Sequence, residues 1–359
     1  MARPTTAFID LAALKHNFQF AQRLVPEGQC VAVVKANAYG HGAVPVAKAL
    51  EPLAPALGVA CIEEADELRQ AGIHKPILLL EGVFTADEIE QASANNYWIM
   101  LENQQQLHSL LNAELTQPIK VWLKLDTGMH RLGINPEQVT EFYQQLQASP
   151  NVDNDIILAT HLACGDDLGS DFTDTQIACF MAAVKDIDAP LSIGNSSGVL
   201  AWPKARTAWN RPGYMLYGNS PFNIPQENAD QLQQVMTLKS AVISVREVAA
   251  GESVGYAANW TAERPSTIAT IAVGYGDGYP RSAPNGTPVI VNGQRVKLVG
   301  NVSMDMITVD VTDLDSVAIG DEVILWGPEL TANEIAQWAG TIGYEILTRM
   351  PLRAPRIYK

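Results

Sequence analysis

The chain of 359 residues is 47% hydrophobic and 18% charged, a globular profile long enough for one large domain and a smaller one. Its formal net charge of −15 argues against nucleic acid or an anionic membrane as the main partner, since both require a basic face. No basic segment followed by an apolar run opens the sequence, and no stretch is apolar for long enough to span a bilayer. The four cysteines, Cys30, Cys61, Cys164 and Cys179, lack metal-ligand or redox spacing and suit reduced thiols in a cytoplasm. The six histidines form no HxxxH or HxH pair, so no metal centre is expected.

From residue 30 to about 225, short apolar runs alternate with helical stretches. The runs are CVAVV, LGVACI, PILLLEG, YWIML, KVWLKL, IILATHL, LSIGN and the segment around TAWNRPGYMLYG. Between them lie IEEADELRQAG, TADEIEQASANN, NQQQLHSLLNAEL, NPEQVTEFYQQL and DTQIACFMAAVKDI, with apolar positions three and four apart. Thr85, Asn135 and Asp174 are the expected caps. Eight strands with helical crossovers predict an α/β fold with a parallel (β/α)8 barrel over residues 1–230. An open doubly wound sheet is the weaker alternative, because no GxGxxG follows the first strand. Beyond residue 230 the runs LKSAVISVREV, TIATIAVGY, TPVIVNGQRVKLVG, MITVDV and EVILWG have little helical spacing between them. Residues 231–359 therefore read as a mainly β C-terminal domain, with a hairpin at Asn292-Gly293 and one helix near residues 333–338.

Barrel active sites form at the C-terminal strand ends, and the polar residues there are informative. Lys35 and Tyr39 follow the first strand. A lysine at the mouth of a buried strand is partly desolvated, which disfavours the ammonium and equips the amine to form a Schiff base or accept a proton. Lys124, Asp126 and Arg131 lie on or after the fifth strand; Arg131 could simply pair with Asp126. His161 ends the sixth, Asn195, Ser196 and Ser197 end the seventh, and Arg211 and Gly213 follow at the eighth. Hydroxyls and backbone N–H groups after strands seven and eight suit a phosphate. A phosphate anchor opposite an amine suggests a pyridoxal phosphate site.

At these residues the chain closely resembles the alanine racemase family. The matching motifs are VVKANAYGHG (33–42), KLDTGMHRLG (124–133), THLA (160–163), NSSG (195–198), RPGYMLYG (211–218), VGYAA (254–258), VGYGDGYPR (273–281) and VSMDM (302–306). The resemblance implies a pyridoxal 5'-phosphate enzyme that interconverts L- and D-alanine, the latter for peptidoglycan, as a homodimer with shared sites. Lys35 would hold the cofactor and act as one catalytic base. Tyr256, reaching in from the partner subunit, would be the other. Tyr39, Ser196, Gly213 and Tyr214 match phosphate-binding positions, with Asn195 beside them. Arg211 would face the pyridine nitrogen, and His161 would link it to Tyr256. Arg131 would lie near the cofactor's phenolic oxygen and the substrate carboxylate. Met304 and Asp305 match a partner-subunit loop that contacts substrate, Tyr275 narrows the entrance, and Asp166 and Arg281 line the corridor. Lys124 would carry a carbamate that holds Arg131; a bare Lys124 paired with Asp126 is the rival.

Two departures from the family pattern stand out. Leu352 precedes the terminal RAPR where a tyrosine is common, so one phosphate or entrance contact is absent or supplied from elsewhere. Asn301 stands where an arginine is frequent. Both bear on selectivity more than on reaction type. A broad-specificity or serine-preferring racemase, and a non-catalytic pyridoxal phosphate carrier, are the competing readings.

Overall fold

The structure, a computed structural model, describes residues 3–359. The first strand, β1 (Thr6–Ile9), is followed by a helix over Leu11–Leu24, capped by the Asp10 carboxylate on the N–H groups of Ala12 and Ala13. Eight short parallel strands then close a barrel in chain order: β2 (Gln29–Val33), β3 (Ala56–Val59), β4 (Ile77–Leu79), β5 (Tyr97–Leu101), β6 (Val121–Lys124), β7 (Ile157–Ala159), β8 (Leu191–Ser192) and β9 (Trp209–Asn210). Each coincides with one of the eight apolar runs, β2 and β3 starting one residue earlier. The runs are continuously apolar because barrel strands are covered on both faces, inside by one another and outside by helices.

Inward residues alternate along each strand. Val31, Ala56, Leu78, Met100, Trp122, Ile157 and Trp209 pack together as the barrel interior. Trp209 sits edge-on against both Trp98 and Trp122 at 5.5 Å between ring centroids, and the Lys120 ammonium lies 4.9 Å from the Trp98 ring. Trp98 and Trp209 lie at or near the N-terminal strand ends, so this cluster plugs that end. Open space inside the barrel is left to the opposite end.

The second unit is built from β10 (Met236–Val248), β11 (Ser266–Ile271), β12 (Pro288–Val291), β13 (Gln294–Leu298), β14 (Ile307–Asp310), β15 (Glu322–Trp326) and β16 (Arg356–Tyr358). The long strand β10 pairs with β15 along its first half and with β11 along its second, so the sheet curls back on itself. The β12–β13 hairpin turns at Asn292-Gly293, both with positive φ, as expected.

The structure differs from the sequence expectation in four places. Strand β1, assigned to the barrel segment, pairs instead with β10 and β16, because four residues of alternating burial find an open edge only there. Asp174 lies inside the helix Phe172–Val184, which begins three residues earlier than expected. The helix Asp87–Ala94 has no side-chain cap from Thr85, while Asn135 does cap its turn. A second C-terminal helix, Gly343–Thr348, follows the expected one at Ala332–Ala339 and lies over the barrel mouth. No helix among the described residues is long and apolar enough to cross a membrane.

Candidate active site

The backbone just after β2 takes an unusual path. Ala36, Asn37, Ala38 and Tyr39 all have φ between 51° and 53°, a left-handed helical turn. Such a conformation costs about 1–2 kcal/mol per non-glycine residue and survives only where its surroundings over-determine it. Here they do. The Ala36 N–H donates to Glu64 at 2.6 Å, and the Ala43 N–H donates to the Asn37 side chain at 2.7 Å. Buried His41 uses Nδ1 to hold the carbonyls of Ala38 and Tyr39, and Arg356 donates to the Gly40 carbonyl at 2.8 Å. The turn places Lys35 and the Tyr39 ring in the same cavity.

That cavity, about 640 Å³ at the C-terminal end of the barrel, is lined by Lys35, Tyr39, Lys124, Arg131, His161 and Asn195. Ser196, Arg211, Gly213 and Tyr214 complete the expected barrel set around it. On one side, Ser196 Oγ accepts from the N–H groups of Gly213 at 2.9 Å and Met215 at 3.3 Å, leaving its proton to donate outward. Gly213 is bare for a reason: a β-carbon there would stand 2.6 Å from the Tyr39 hydroxyl. Burial pushes the Tyr39 phenol well up, so it stays a neutral donor. Asn195 caps the short helix that starts at Ser196, accepting from Gly198 N–H at 3.0 Å. These groups form a cradle for an oxyanion such as a phosphate.

Arg211 is buried, and its guanidinium donates to the carbonyls of Thr160 at 2.6 Å and Ser192 at 3.1 Å, and to the Ser192 hydroxyl. Burial lowers its pKa to about 10, so it remains charged at neutral pH. His161 is held neutral, well below the usual imidazole range, by burial and by the cations of Arg211, Arg131, Lys124 and Lys35. Its expected hydrogen bond to Arg211 is not formed in this chain; the two terminal nitrogens of Arg211 donate instead to backbone carbonyls and Ser192.

Lys124 is bonded to Glu102 at 2.9 Å and not to Asp126. The Asp126 carboxylate instead accepts from the N–H groups of Gly128 and His130, both at 3.0 Å, and from the His130 ring at 3.1 Å. Burial pushes the Asp126 carboxyl up, but these donors outweigh it and hold it below its ordinary value. Arg131 therefore does not pair with Asp126; it stands exposed at the cavity rim. Glu102, and Glu81 at the end of the preceding strand, were missed by sequence reasoning. Their signal was the same as for the residues found: a charged side chain directly after an apolar strand. Tyr344 and Thr348, from the unexpected helix, also line the cavity, and Tyr344 stacks on Tyr214 at 3.6 Å.

The remaining expected residues are not brought to this cavity. Tyr256 is 70% exposed, and Tyr275, Met304 and Leu352 are exposed as well. They do share one region. Asn301 Nδ2 donates to the Tyr256 carbonyl at 2.7 Å, and Tyr275 N–H donates to the Ser303 carbonyl at 3.0 Å. Asp305 is tied to Arg353. Arg281 and Tyr275 line a separate depression, and Asp166 is exposed; burial, then Tyr39 and last Asp166 push the Tyr344 phenol up. The expected residues therefore form two groups that do not line the same cavity.

Residues 9–221 match the family described as alanine racemase, N-terminal domain, and residues 235–358 match alanine racemase, C-terminal domain. The chain belongs to the alanine racemase family. Two curated racemases, one from Pseudomonas taetrolens and a catabolic one from Pseudomonas putida, are each 50% identical to it over 99% of both chains. The biosynthetic alanine racemase structure from Pseudomonas aeruginosa is 45% identical and superposes with a TM-score of 0.96, covering 99% of each chain. The racemase structure from Bartonella henselae, described with covalently bound pyridoxal phosphate, is 32% identical with a TM-score of 0.90, again over 99% of each chain.

Proposed function

We propose that this protein interconverts L- and D-alanine with pyridoxal 5'-phosphate held covalently by Lys35, in a site completed by Tyr256 of the partner subunit. The observation that carries the reading is the convergence, in one cavity, of Lys35, an oxyanion cradle and the buried cation of Arg211. The residues fit the cofactor. The Gly213–Tyr39–Ser196 cradle suits its phosphate, and the volume lies within the 300–1,000 Å³ typical of small-molecule sites. When bound, the cofactor supplies the electron withdrawal that acidifies the substrate Cα–H.

The side chains divide the remaining work. Lys35 and the partner subunit's Tyr256 stand on opposite faces of the substrate. One removes the Cα proton and the other returns a proton from the far side, which inverts the centre. Arg131 at the rim meets the substrate carboxylate. Arg211 would face the ring nitrogen with a proton it does not readily give up, which tempers the electron withdrawal and favours return of the proton over side reactions. Tyr275, Met304 and Asp305 of the partner subunit narrow the entrance. The exposure of the Tyr256 region, which does not line its own chain's cavity, supports a homodimer. The D-alanine formed would serve peptidoglycan, and the free thiols fit a cytoplasmic setting.

The direct test is chiral analysis of L-alanine incubated with enzyme and cofactor: both enantiomers should reach equal amounts. Borohydride should fix the cofactor to a peptide containing Lys35, and labelling of another lysine would overturn that assignment. Mixing inactive Lys35→Ala and Tyr256→Phe subunits should restore part of the activity. No recovery despite proven subunit exchange would mean that each site is built within one chain.

A further inference from the structure

The barrel segment that carries Lys35 is gripped by a strand of the second unit. Strand β16 runs parallel to β1 at the edge of that unit's sheet, with Ala7 beside Arg356 and Ile9 beside Tyr358. Side chains alternate along a strand, so Arg356 and Tyr358 share one face while exposed Ile357 takes the other. Both half-buried side chains reach the turn after β2. Arg356 Nε donates to the Gly40 carbonyl at 2.8 Å, and the Tyr358 hydroxyl donates to the His41 carbonyl at 3.1 Å. The remaining Arg356 nitrogens donate to the carbonyls of Met350 at 2.8 Å, Pro351 at 3.2 Å and Ala354 at 3.3 Å. One planar guanidinium thus ties the loop after the last helix to the Lys35 turn.

The approach is close enough to exclude side chains from the turn. A β-carbon on Gly42 would run into the Tyr358 hydroxyl, and one on Gly40 into the Leu347 carbonyl. Within the turn, Gly40 N–H bonds to the Ala36 carbonyl and Gly42 N–H to the Asn37 carbonyl, both at 3.0 Å. These bonds keep the left-handed run closed only while its far end stays in place. L-residues favour the right-handed well, so a released end lets the run relax. Lys35 and Tyr39, four residues apart on the same segment, would both move with it.

We propose that Arg356 and Tyr358 form a clasp that positions Lys35: by holding the Gly40 and His41 carbonyls they keep the strained turn wound and its lysine aimed into the cavity. This rests on the reading above, in which Lys35 holds the cofactor. Neither residue lines the cavity, so both act through the turn and are positioning residues. The second unit therefore serves the site of its own chain through β16.

The test compares holoenzymes: wild type, Arg356→Ala, Arg356→Lys and Tyr358→Phe. Amide hydrogen exchange is followed in a peptide spanning the turn and, as a control, in one spanning β5. Arg356→Ala should speed exchange in the turn about tenfold, as expected for loss of a charge-assisted bond, and Tyr358→Phe about threefold, with β5 unchanged. In steady state, kcat of Arg356→Ala should fall about tenfold through misplacement of Lys35, while KM for alanine stays near the wild-type value, because the contact with the substrate carboxylate lies on Arg131. Arg356→Lys, which keeps the charge but not the fork, should fall between the two. Guanidinium ion, kept below the concentration that lowers the melting temperature, should restore part of kcat in Arg356→Ala and leave the wild type unaffected. Unchanged exchange in the turn, or equal acceleration in the turn and in β5, would overturn the clasp whether or not the protein racemises alanine. Faster exchange in the turn alone with unchanged kcat would overturn the positioning role. If Arg356→Ala does not fold, Tyr358→Phe and Arg356→Lys decide by the same readouts. A borohydride label on a lysine other than Lys35 would remove the reading of the site, and the exchange arm would still decide the clasp.

Discussion

The turn that carries Lys35 and the loop that carries Tyr256 break the same backbone rule in opposite settings. Ala36, Asn37, Ala38 and Tyr39 are left-handed in the first; Gly255, Ala257 and Ala258 have positive φ in the second. Around Lys35 the strain is locked from all sides by Glu64, His41, Arg356 and the Asn37 side chain. Around Tyr256 the latches are few and exposed: Asn301 on the Tyr256 carbonyl, and Asn259 on Asn301, both at 2.7 Å. The same conformational cost is therefore met by several contacts in one case and by a few exposed ones in the other. The turn beside the cavity is finished within its own fold, whereas the exposed Tyr256 loop is held only lightly by its own chain.

The most severe way to break the first region is Gly213→Ala. The new methyl meets the Tyr39 hydroxyl at 2.6 Å and Val33 at 3.5 Å, and Tyr39 cannot swing away because Tyr217 packs 4.8 Å from its ring. Overpacking of this kind typically costs about 1–3 kcal/mol. It falls on the oxyanion cradle, so cofactor affinity should drop roughly 10- to 100-fold. An absorbance titration with cofactor measures it. Retention of wild-type affinity would mean that the cradle is not where the phosphate sits.

The lock on the Lys35 turn should also be visible as a pH dependence. Burial lowers His41 from 6.5 to about 4, with its bonds to the Ala38 and Tyr39 carbonyls partly opposing the shift. The unfolded chain then takes up a proton before the folded one does. Stability is complete above about pH 6.5 and is lost as the pH falls towards 4, by on the order of 3 kcal/mol from this group. Denaturant midpoints measured across that window should slope accordingly, and the slope should shrink in His41→Gln. His161, also held neutral, contributes in the same direction and remains in the variant. A slope unaffected by His41→Gln would remove His41 from the lock.

What the sequence could show follows the same division. The eight barrel strands were legible because each is a continuous apolar run between polar helices. The hairpin at Asn292-Gly293 was legible because its two residues tolerate positive φ. Lys35, Tyr39, Ser196, Arg211 and Gly213 were found by their position at strand ends, and all line one cavity. Register between neighbouring strands leaves no local trace, so the Glu102–Lys124 pair could not be read, nor the pairing of β1 with a strand more than 220 residues away. The VGYAA motif marked Tyr256 as a candidate, but nothing local in the sequence showed that it lies outside its own chain's cavity. That depends on a surface, and surfaces are not periodic.

The second region is broken more gently. Asn301→Ala removes the donor that holds the Tyr256 carbonyl, an exposed bond worth about 1 kcal/mol or less. Stability should barely change, while kcat should fall about tenfold through misplacement of the Tyr256 ring. Thermal melts and steady-state kinetics on the same samples separate the two effects. A large loss of stability with unchanged kcat would make Asn301 a structural residue only.

The smallest effect sharpens the comparison most, because it applies one substitution to both regions. Ala257 (φ 62°) is exposed, whereas Ala38 (φ 52°) is fully buried. Replacing either alanine by glycine relieves a left-handed residue by about 1–2 kcal/mol. Against this, the unfolded chain gains freedom worth roughly 0.5–1 kcal/mol. At Ala257 nothing else is lost, so Ala257→Gly should stabilise by about 0.5 kcal/mol. At Ala38 the methyl is part of the core, and its removal costs about 0.8 kcal/mol with a further penalty for the void left behind. Ala38→Gly should therefore be neutral or destabilising. Opposite signs in denaturant midpoints are the expected result. Equal shifts would mean that the two strained segments are held in the same way, and the contrast between a locked turn and a lightly held loop would fail.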